Sequence, residues 1–302
     1  MRDCKFGLGS IVVDDEETIW VKRRDFLQLL DICTGELGVG YLDSAQAYQK
    51  SEEAIGLWLQ NKEKGFRENL IIGSKVSRVP MTRDNVKRIG YESLEKLKCD
   101  VIDIYWTHRY DSDTPVLETY RGFNDLAEDG TIKEIGICNV NPQQIVEILS
   151  TCRAHGIKSP AYVQNEFNLL NFNAERETTD LCRNEGLKYM AYSPLAGGIL
   201  TGKYRFDEPP PADSRWGAWQ KSRGLPSYWN AECFKSMARF EEKSAEIGVS
   251  MAGLALAWCR YRADISTTLL GPKHIGHLDA VRDTLKTTLT EAQLQEITEM
   301  FS

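Results

Sequence analysis

Eight short apolar runs recur along the chain, and nearly every one is followed by an amphipathic stretch long enough for a helix. The runs cover residues 6–13, 40–45, 70–75, 101–108, 132–138, 161–165, 187–193 and 265–271. Helical patterns fill 23–35, 51–61, 82–97, 115–129, 141–156, 174–186 and, before the last run, a pair at 231–247 and 250–261. Ser51 followed by Glu52 and Glu53, Thr82 with Asp84, and Thr114-Pro115 with Glu118 read as helix starts. Strands that no two-residue turn joins run parallel, because a parallel pair needs a crossover long enough to hold a helix.

Eight parallel strands close into a barrel or stay open as a doubly wound sheet. The open sheet binds phosphates with G-x-G-x-x-G after its first strand. Here Gly38-Val-Gly40 precedes a strand and opens no helix, so the barrel is favoured. The expected fold class is α/β: a (β/α)8 TIM barrel, one domain over residues 1–302, with a long lid loop after strand seven.

Composition narrows the function classes. With 42% hydrophobic and 27% charged residues the chain can bury a sizeable core. Its 44 acidic against 37 basic residues give a net charge of -7, the wrong sign for neutralising nucleic-acid phosphates. No apolar run approaches the length that crosses a bilayer, and residues 1–17 lack the order of a signal peptide, so no membrane partner and a cytoplasmic location are expected. Eight cysteines without a C-x-x-C pair read as reduced thiols.

In a barrel, chemistry sits where the strands end. Those ends are polar here: Asp43, Lys75, His108, Cys138-Asn139, Gln164-Asn165, Tyr192-Ser193 and Gly271-Pro272-Lys273. Asp43, Lys75, His108 and the nearby Tyr48 could form a plain salt bridge with two hydrogen-bonded neighbours. Alternatively, a close ammonium lowers the phenol pKa and makes Tyr48 a general acid or base. No G-x-S-x-G elbow accompanies Ser193, and it has no histidine near it in sequence. Asn139 and Gln164 are suited to gripping another amide, and Tyr192 offers a flat face for stacking.

The connection 194–229 is too long for an ordinary loop and carries Trp216, Trp219, Tyr228 and Trp229. It reads as a lid or as a loop packed outside the site; Arg215 and Arg223 would meet an anionic group or remain solvated. His274 and His277 have a spacing that could bind a metal, but no third ligand is evident, so no metal is expected. Lys273 and His274 better fit phosphate recognition at a helix amino end. His155, beside Gly156, reads as a surface or capping residue.

These residues in this order resemble the aldo-keto reductase superfamily over residues 6 to about 281. Asp43-Ser-Ala-Gln-Ala-Tyr48 with Ser51-Glu52, Gly73-Ser-Lys75 and Trp106-Thr-His108 resemble its catalytic-tetrad segments. Gly136-Ile-Cys-Asn139 and Gln164 resemble its carboxamide-holding segments, and the stretch from Ala191 through Tyr192, Ser193 and Leu195 to Tyr204 resembles its stacking-tyrosine segment. That last stretch, with residues 113–116 and Tyr228-Trp229, is nearest the aflatoxin-aldehyde-reductase branch and its fungal relatives.

The resemblance implies NADPH, with NADH not excluded, lying across the mouth. Cys138, Asn139, Gln164, Tyr192, Ser193, Leu195, Gly271, Lys273 and His274 would contact it. Hydride would pass to a small-molecule carbonyl while Tyr48 donates a proton. Trp20, Trp216, Trp219 and Tyr228 would line a pocket for a planar or apolar carbonyl compound, with Arg223 the residue of interest if small charged aldehydes such as semialdehydes are preferred instead, in a monomer or weak homo-oligomer. Three departures stand out. Cys138 replaces a usual serine and is open to oxidation if exposed. Ala280 and Val281 stand about where an acid and an asparagine often hold adenine, and the chain starts at the first barrel strand without the common amino-terminal hairpin. The other readings are net alcohol or lactol oxidation, and a cofactor-binding regulatory subunit like the potassium-channel beta subunits.

Overall fold

The computed structural model describes residues 5–10, 13–14 and 21–302. Its strands are β1 (Phe6–Gly9), β2 (Tyr41–Asp43), β3 (Ile71–Val76), β4 (Ile102–Thr107), β5 (Ile132–Cys138), β6 (Tyr162–Glu166), β7 (Lys188–Tyr192) and β8 (Thr267–Leu270). They close in the order β1-β8-β7-β6-β5-β4-β3-β2, every pair parallel, which is the (β/α)8 barrel expected from the alternation. The first run is shorter than expected. β1 stops at Gly9, and Val13–Asp14 pairs instead with Val21–Lys22 in a separate two-stranded piece.

The helices are α1 (Arg23–Asp31), α2 (Ser51–Gln60), α3 (Arg83–Leu97), α4 (Val116–Glu128), α5 (Pro142–Ala154), α6 (Arg176–Glu185), α7 (Arg215–Arg223), α8 (Ala231–Ile247), α9 (Met251–Tyr261), α10 (Asp279–Lys286) and α11 (Glu291–Glu299). Thr82 caps α3 as expected, accepting from Asn85 N at 3.4 Å. Ser51 does not cap α2: its hydroxyl donates to Ser10 Oγ at 2.5 Å and lies 2.7 Å from Ser44 Oγ. A fully buried hydroxyl takes the partners its surroundings supply, and here those are two other buried serines.

The two-residue period of a strand sorts the side chains into two cores. Leu8, Leu42, Ile72, Tyr105, Ile135, Ile137, Val163 and Ala191 face outward, under the helices. Tyr41, Ile104, Trp106, Cys138, Tyr162, Met190 and Leu269 fill the barrel. Trp106 is completely buried, and Gly73 and Gly136 make room for it: a Cβ at either would run into its indole. The same period that sends Tyr41 and Gly73 inward sends Asp43 and Lys75 inward one step nearer the mouth.

The segment 194–229 is not an open loop. Residues Ala196–Thr201 form a 3-10 stretch and Arg215–Arg223 form α7. Trp216 Nε1 donates to Ala196 O at 3.2 Å, Trp216 and Trp219 meet edge to face at 5.8 Å, and Tyr204 packs on Trp229 at 5.2 Å. These contacts tie the segment to itself, while Tyr204 joins the core under the helices and Trp216, Tyr228 and Trp229 pack against it.

Among the described residues no helix is long and apolar enough to cross a membrane, and none of the seven described cysteines is in a disulfide.

Candidate active site at the barrel mouth

Register brings the four residues of the expected tetrad together. Asp43 pairs with Gly73 across β2 and β3, Lys75 pairs with Trp106 across β3 and β4, and His108 follows one residue after β4. The turn that leads into α2 places Tyr48 over this floor. Lys75 Nζ donates to Asp43 Oδ2 and, at 2.8 Å, to Ser44 O; both partners are buried from solvent. Its ammonium lies 5.1 Å from the centre of the Tyr48 ring. Tyr48 Oη is 3.5 Å from His108 Nε2, the two rings meeting edge to face.

Tyr41 and Gln164 fix Asp43. Its Oδ1 accepts from Tyr41 Oη at 2.7 Å and from Gln164 Nε2 at 3.1 Å, and Trp106 Nε1 in turn donates to Tyr41 Oη at 3.1 Å. Tyr41 and Trp106 are site residues that sequence reading missed. The two-residue period places Tyr41 on the same inward face of β2 as Asp43 and points Trp106 into the barrel from β4, but it does not show where their polar tips bond.

The electrostatics of the mouth follow from burial. Burial works against the Lys75 ammonium, but Asp43 and Tyr48 outweigh it and hold its pKa above the usual lysine range. For Tyr48 burial is the largest influence and raises the phenol pKa; Lys75 pulls it down, without winning. This corrects the expectation that the ammonium would bring the phenol toward neutral pH. The desolvation of a phenolate exceeds the help of one ammonium that is already paired with a carboxylate. Burial and then Lys75 push His108 down to about 4, so its ring is neutral at physiological pH.

The amide donors expected to grip a carboxamide sit at the same rim and are already engaged. Gln164 donates to Asp43 and accepts from Cys138 Sγ at 3.6 Å. Asn139, left-handed at φ 58, donates to His108 O at 2.8 Å and accepts from Tyr192 Oη at 2.6 Å. Asn139 Nδ2 also donates to Cys138 Sγ at 3.2 Å, so Asn139 retains a lone pair and Gln164 a second proton and a second lone pair for a ligand. Asn165 holds this rim in place, its side chain accepting from Val140 N at 3.1 Å and donating to Val140 O at 2.7 Å. Cys138 is buried, with its thiol pushed up to about 12, which makes it inert rather than oxidisable.

Beyond β7 and β8 the rim is cationic. Arg215 lies over Trp219 at 5.3 Å and Lys203 over Tyr204 at 5.1 Å. Burial, Arg215 and then Lys203 depress the pKa of Lys273, so the three cations share one neighbourhood. Such a donor set fits the phosphates of a nicotinamide dinucleotide, while Asn139, Gln164 and Tyr192 fit its ring end. Ser193 is left-handed at φ 52 and its carbonyl accepts from Asn168 Nδ2 at 3.1 Å; Leu195 packs half-buried against the core. Gly271 is exposed with open space where a Cβ would stand.

The helix start expected at Lys273-His274 is instead a short 3-10 turn, Ile275–Leu278, ahead of α10. Lys273 N donates to His277 Nδ1 at 3.1 Å, and the His274 and His277 rings lie 3.8 Å apart. No group of three metal-ligating side chains occurs among the described residues. Val281 is buried and Ala280 packs against the core, so neither side chain is presented for adenine.

Of the expected substrate residues, Trp20 and the Arg223 side chain lie outside the described residues. Trp216 is committed to Ala196 O, and Tyr228 Oη lies 3.2 Å from Glu166 Oε1 at the end of β6. Burial raises Tyr228 above the ordinary phenol range, Glu166 adds to this, and Tyr192 contributes as well, which puts Tyr228 near Tyr192.

The model of the aldo/keto reductase family matches residues 6–301, beyond the reach of the motifs toward the carboxyl end. A probable voltage-gated potassium channel subunit beta of Oryza sativa subsp. japonica is 30% identical over 80% of this chain and 76% of its own length. An aflatoxin B1 aldehyde reductase member 2 of Rattus norvegicus is 29% identical over 61% of this chain and 52% of its own, and Protein tas of Escherichia coli (strain K12) is 26% identical over 96% and 92%. With the closed barrel and the assembled mouth, the match over nearly every residue establishes that this chain belongs to the aldo/keto reductase family, as an NAD(P)H-dependent oxidoreductase of aldehydes or ketones.

Proposed function

We propose that the chain reduces an aldehyde or ketone with NADPH, with Tyr48 as general acid, acting in the cytoplasm on a small carbonyl compound. The observation that carries this reading is the Lys75 ammonium lying beside the Tyr48 ring while Asp43 holds it from below. The bound cofactor would supply hydride. Tyr48 holds a proton at its phenol Oη, and burial keeps it there across the physiological range. Lys75 sits where it eases loss of that proton as charge develops, and Asp43 fixes Lys75. Neutral His108, with Nε2 near the same Oη, orients a carbonyl oxygen toward it. Asn139, Gln164 and Tyr192 would hold the nicotinamide end, and Lys203, Arg215 and Lys273 the phosphates.

Tyr48→Phe keeps the ring and removes the proton. Turnover of a carbonyl panel should fall about 10²- to 10⁴-fold, the usual weight of a positioned acid, with NADPH binding nearly intact. Full activity in that variant would overturn the mechanism. The same residues run in reverse for alcohol or lactol oxidation, and rates measured in both directions decide which is faster. The likeness to a channel subunit beta supports a second reading, a cofactor-binding regulatory protein. Tight NADPH binding, no useful turnover and co-purification with a membrane partner would favour it.

A further inference from the structure

Two barrel strands end in carboxylates, β2 in Asp43 and β6 in Glu166, and the fold treats them differently. Asp43 is buried and takes the Lys75 ammonium, a phenol and an amide. Glu166 is half-buried, and among the described residues it makes no ion pair. Its donors are uncharged: Tyr228 Oη at 3.2 Å and Asn168 Nδ2 at 3.4 Å, both on Oε1. Arg215 acts on it only from a longer range. The negative charge of Glu166 is thus hydrogen-bonded but has no counter-charge in contact with it.

Strand register sets where that charge stands. Gln164 and Glu166 are two residues apart on β6 and share one face, and Gln164 reaches into the barrel to Asp43. Across the β6–β7 pair Glu166 stands opposite Tyr192, which packs on the interior cluster, and Phe167 N donates to Tyr192 O at 3.1 Å just beyond. Tyr192 Oη in turn donates to Asn139 Oδ1 at 2.6 Å. Glu166 therefore adjoins Gln164 and Tyr192, two of the three residues that would hold the nicotinamide end. That end is where the charge of the cofactor changes. A dihydronicotinamide ring is uncharged; once its hydride has gone to a carbonyl carbon and Tyr48 has given the oxygen a proton, the ring carries one positive charge, while the phosphates, riboses and adenine are as before. A fixed carboxylate nearby favours the charged ring over the neutral one.

We infer that Glu166 makes the barrel mouth discriminate between the two oxidation states of its cofactor, tightening the hold on NADP+ relative to NADPH. The inference rests on the reductase reading and adds to it a residue that sets the balance of the reaction. A binder shifts an equilibrium by its differential affinity for the two sides, so the carboxylate draws the reaction on the protein toward NADP+ and alcohol by the same factor. Lys203, Arg215 and Lys273 contribute nothing to this preference, because the phosphates they would meet are identical in both forms.

The test is calorimetric titration of NADP+ and of NADPH into the unaltered chain and two variants, at about pH 8 where a carboxylate is ionised. Glu166→Gln keeps the shape and an acceptor for Tyr228 and removes the charge. It should raise the Kd of NADP+ about 10-fold and that of NADPH less than about twofold, the scale of one charge pair in a half-buried mouth. Glu166→Asp keeps the charge and should retain most of the preference, which a merely structural role of the side chain would not predict. Equal changes for the two nucleotides in Glu166→Gln, no change for either, or the same loss of preference in Glu166→Asp would overturn the inference. If the unaltered chain still reduces carbonyl compounds in that case, the reductase reading stands without it. A charge-dependent preference in a chain that reduces no carbonyl supports the inference and sinks the reductase reading alone. Failure of the unaltered chain to bind either nucleotide overturns both.

Discussion

The arc of the rim above β2 to β4 keeps its inner charges dry and paired, whereas the arc beyond β7 and β8 gathers cations that meet aromatic faces and one another. Lys75 is wholly buried and held by Asp43, and Asp43 is in turn held by Tyr41 and Gln164. Lys203 and Arg215 have no carboxylate within ion-pair distance among the described residues; they lie over Tyr204 and Trp219 and depress the pKa of Lys273. A buried charge must be matched inside the protein, because desolvation is otherwise too costly, while a half-buried cluster of one sign is tolerable where an anion can arrive. The first arc is thus a finished machine part and the second a receptor surface.

The comparison breaks most visibly at Lys75. Lys75→Met leaves Asp43 buried without its cation and should cost about 3–5 kcal/mol of stability along with turnover, read by denaturant unfolding and assay. A loss under about 1 kcal/mol would mean that water reaches the pair and that the arc is not dry.

His108 sharpens the same arc through pH. Its pKa is about 4 in the fold against the ordinary 6.5, so protonation opposes folding. The stabilisation is fully present above pH 6.5 and is lost as the pH falls through 4. Its ceiling is on the order of 3 kcal/mol, less for a half-buried ring that solvent partly screens. His108→Gln should flatten the acid limb of stability between those limits, and an unchanged limb would place the transition elsewhere.

On the second arc, Arg215→Gln and Lys273→Gln should each raise the KM for NADPH about 10-fold and reduce its salt dependence, with little change in melting temperature. A large stability loss with unchanged KM would show those cations to be structural. The smallest effect is expected at Cys138→Ser. A hydroxyl replaces an inert thiol beside Gln164, and stability should move by less than about 1 kcal/mol, with protection from thiol reagents the same in both proteins.

Much of the fold was legible because it depends on periodicities that any stretch of chain carries with it. The run that became β5 has the same bounds in sequence and structure, and α8 likewise. Thr82 was readable as a cap, since capping is a local contact. Ser51 looked identical in sequence and was not one, because its hydroxyl was claimed by Ser10, 41 positions away. The tetrad was readable through its motif. Tyr41 and Trp106 were not, since a buried aromatic on a strand looks like core until its polar tip is found on Asp43 or on another ring. The segment 194–229 was read as a lid from its length and aromatics, and tertiary contacts turned most of those aromatics into anchors.

Residue order alone determined that strands would alternate with helices, that the strands would run parallel, and that an acid, a lysine, a histidine and a tyrosine would end near one rim. Closure of the barrel decided which of these groups are dry. That outcome set the neutral imidazole of His108, the raised phenol of Tyr48 and the inert thiol of Cys138. Solvation and partnership belong to the space around a group, and that space is made by residues far apart in the chain.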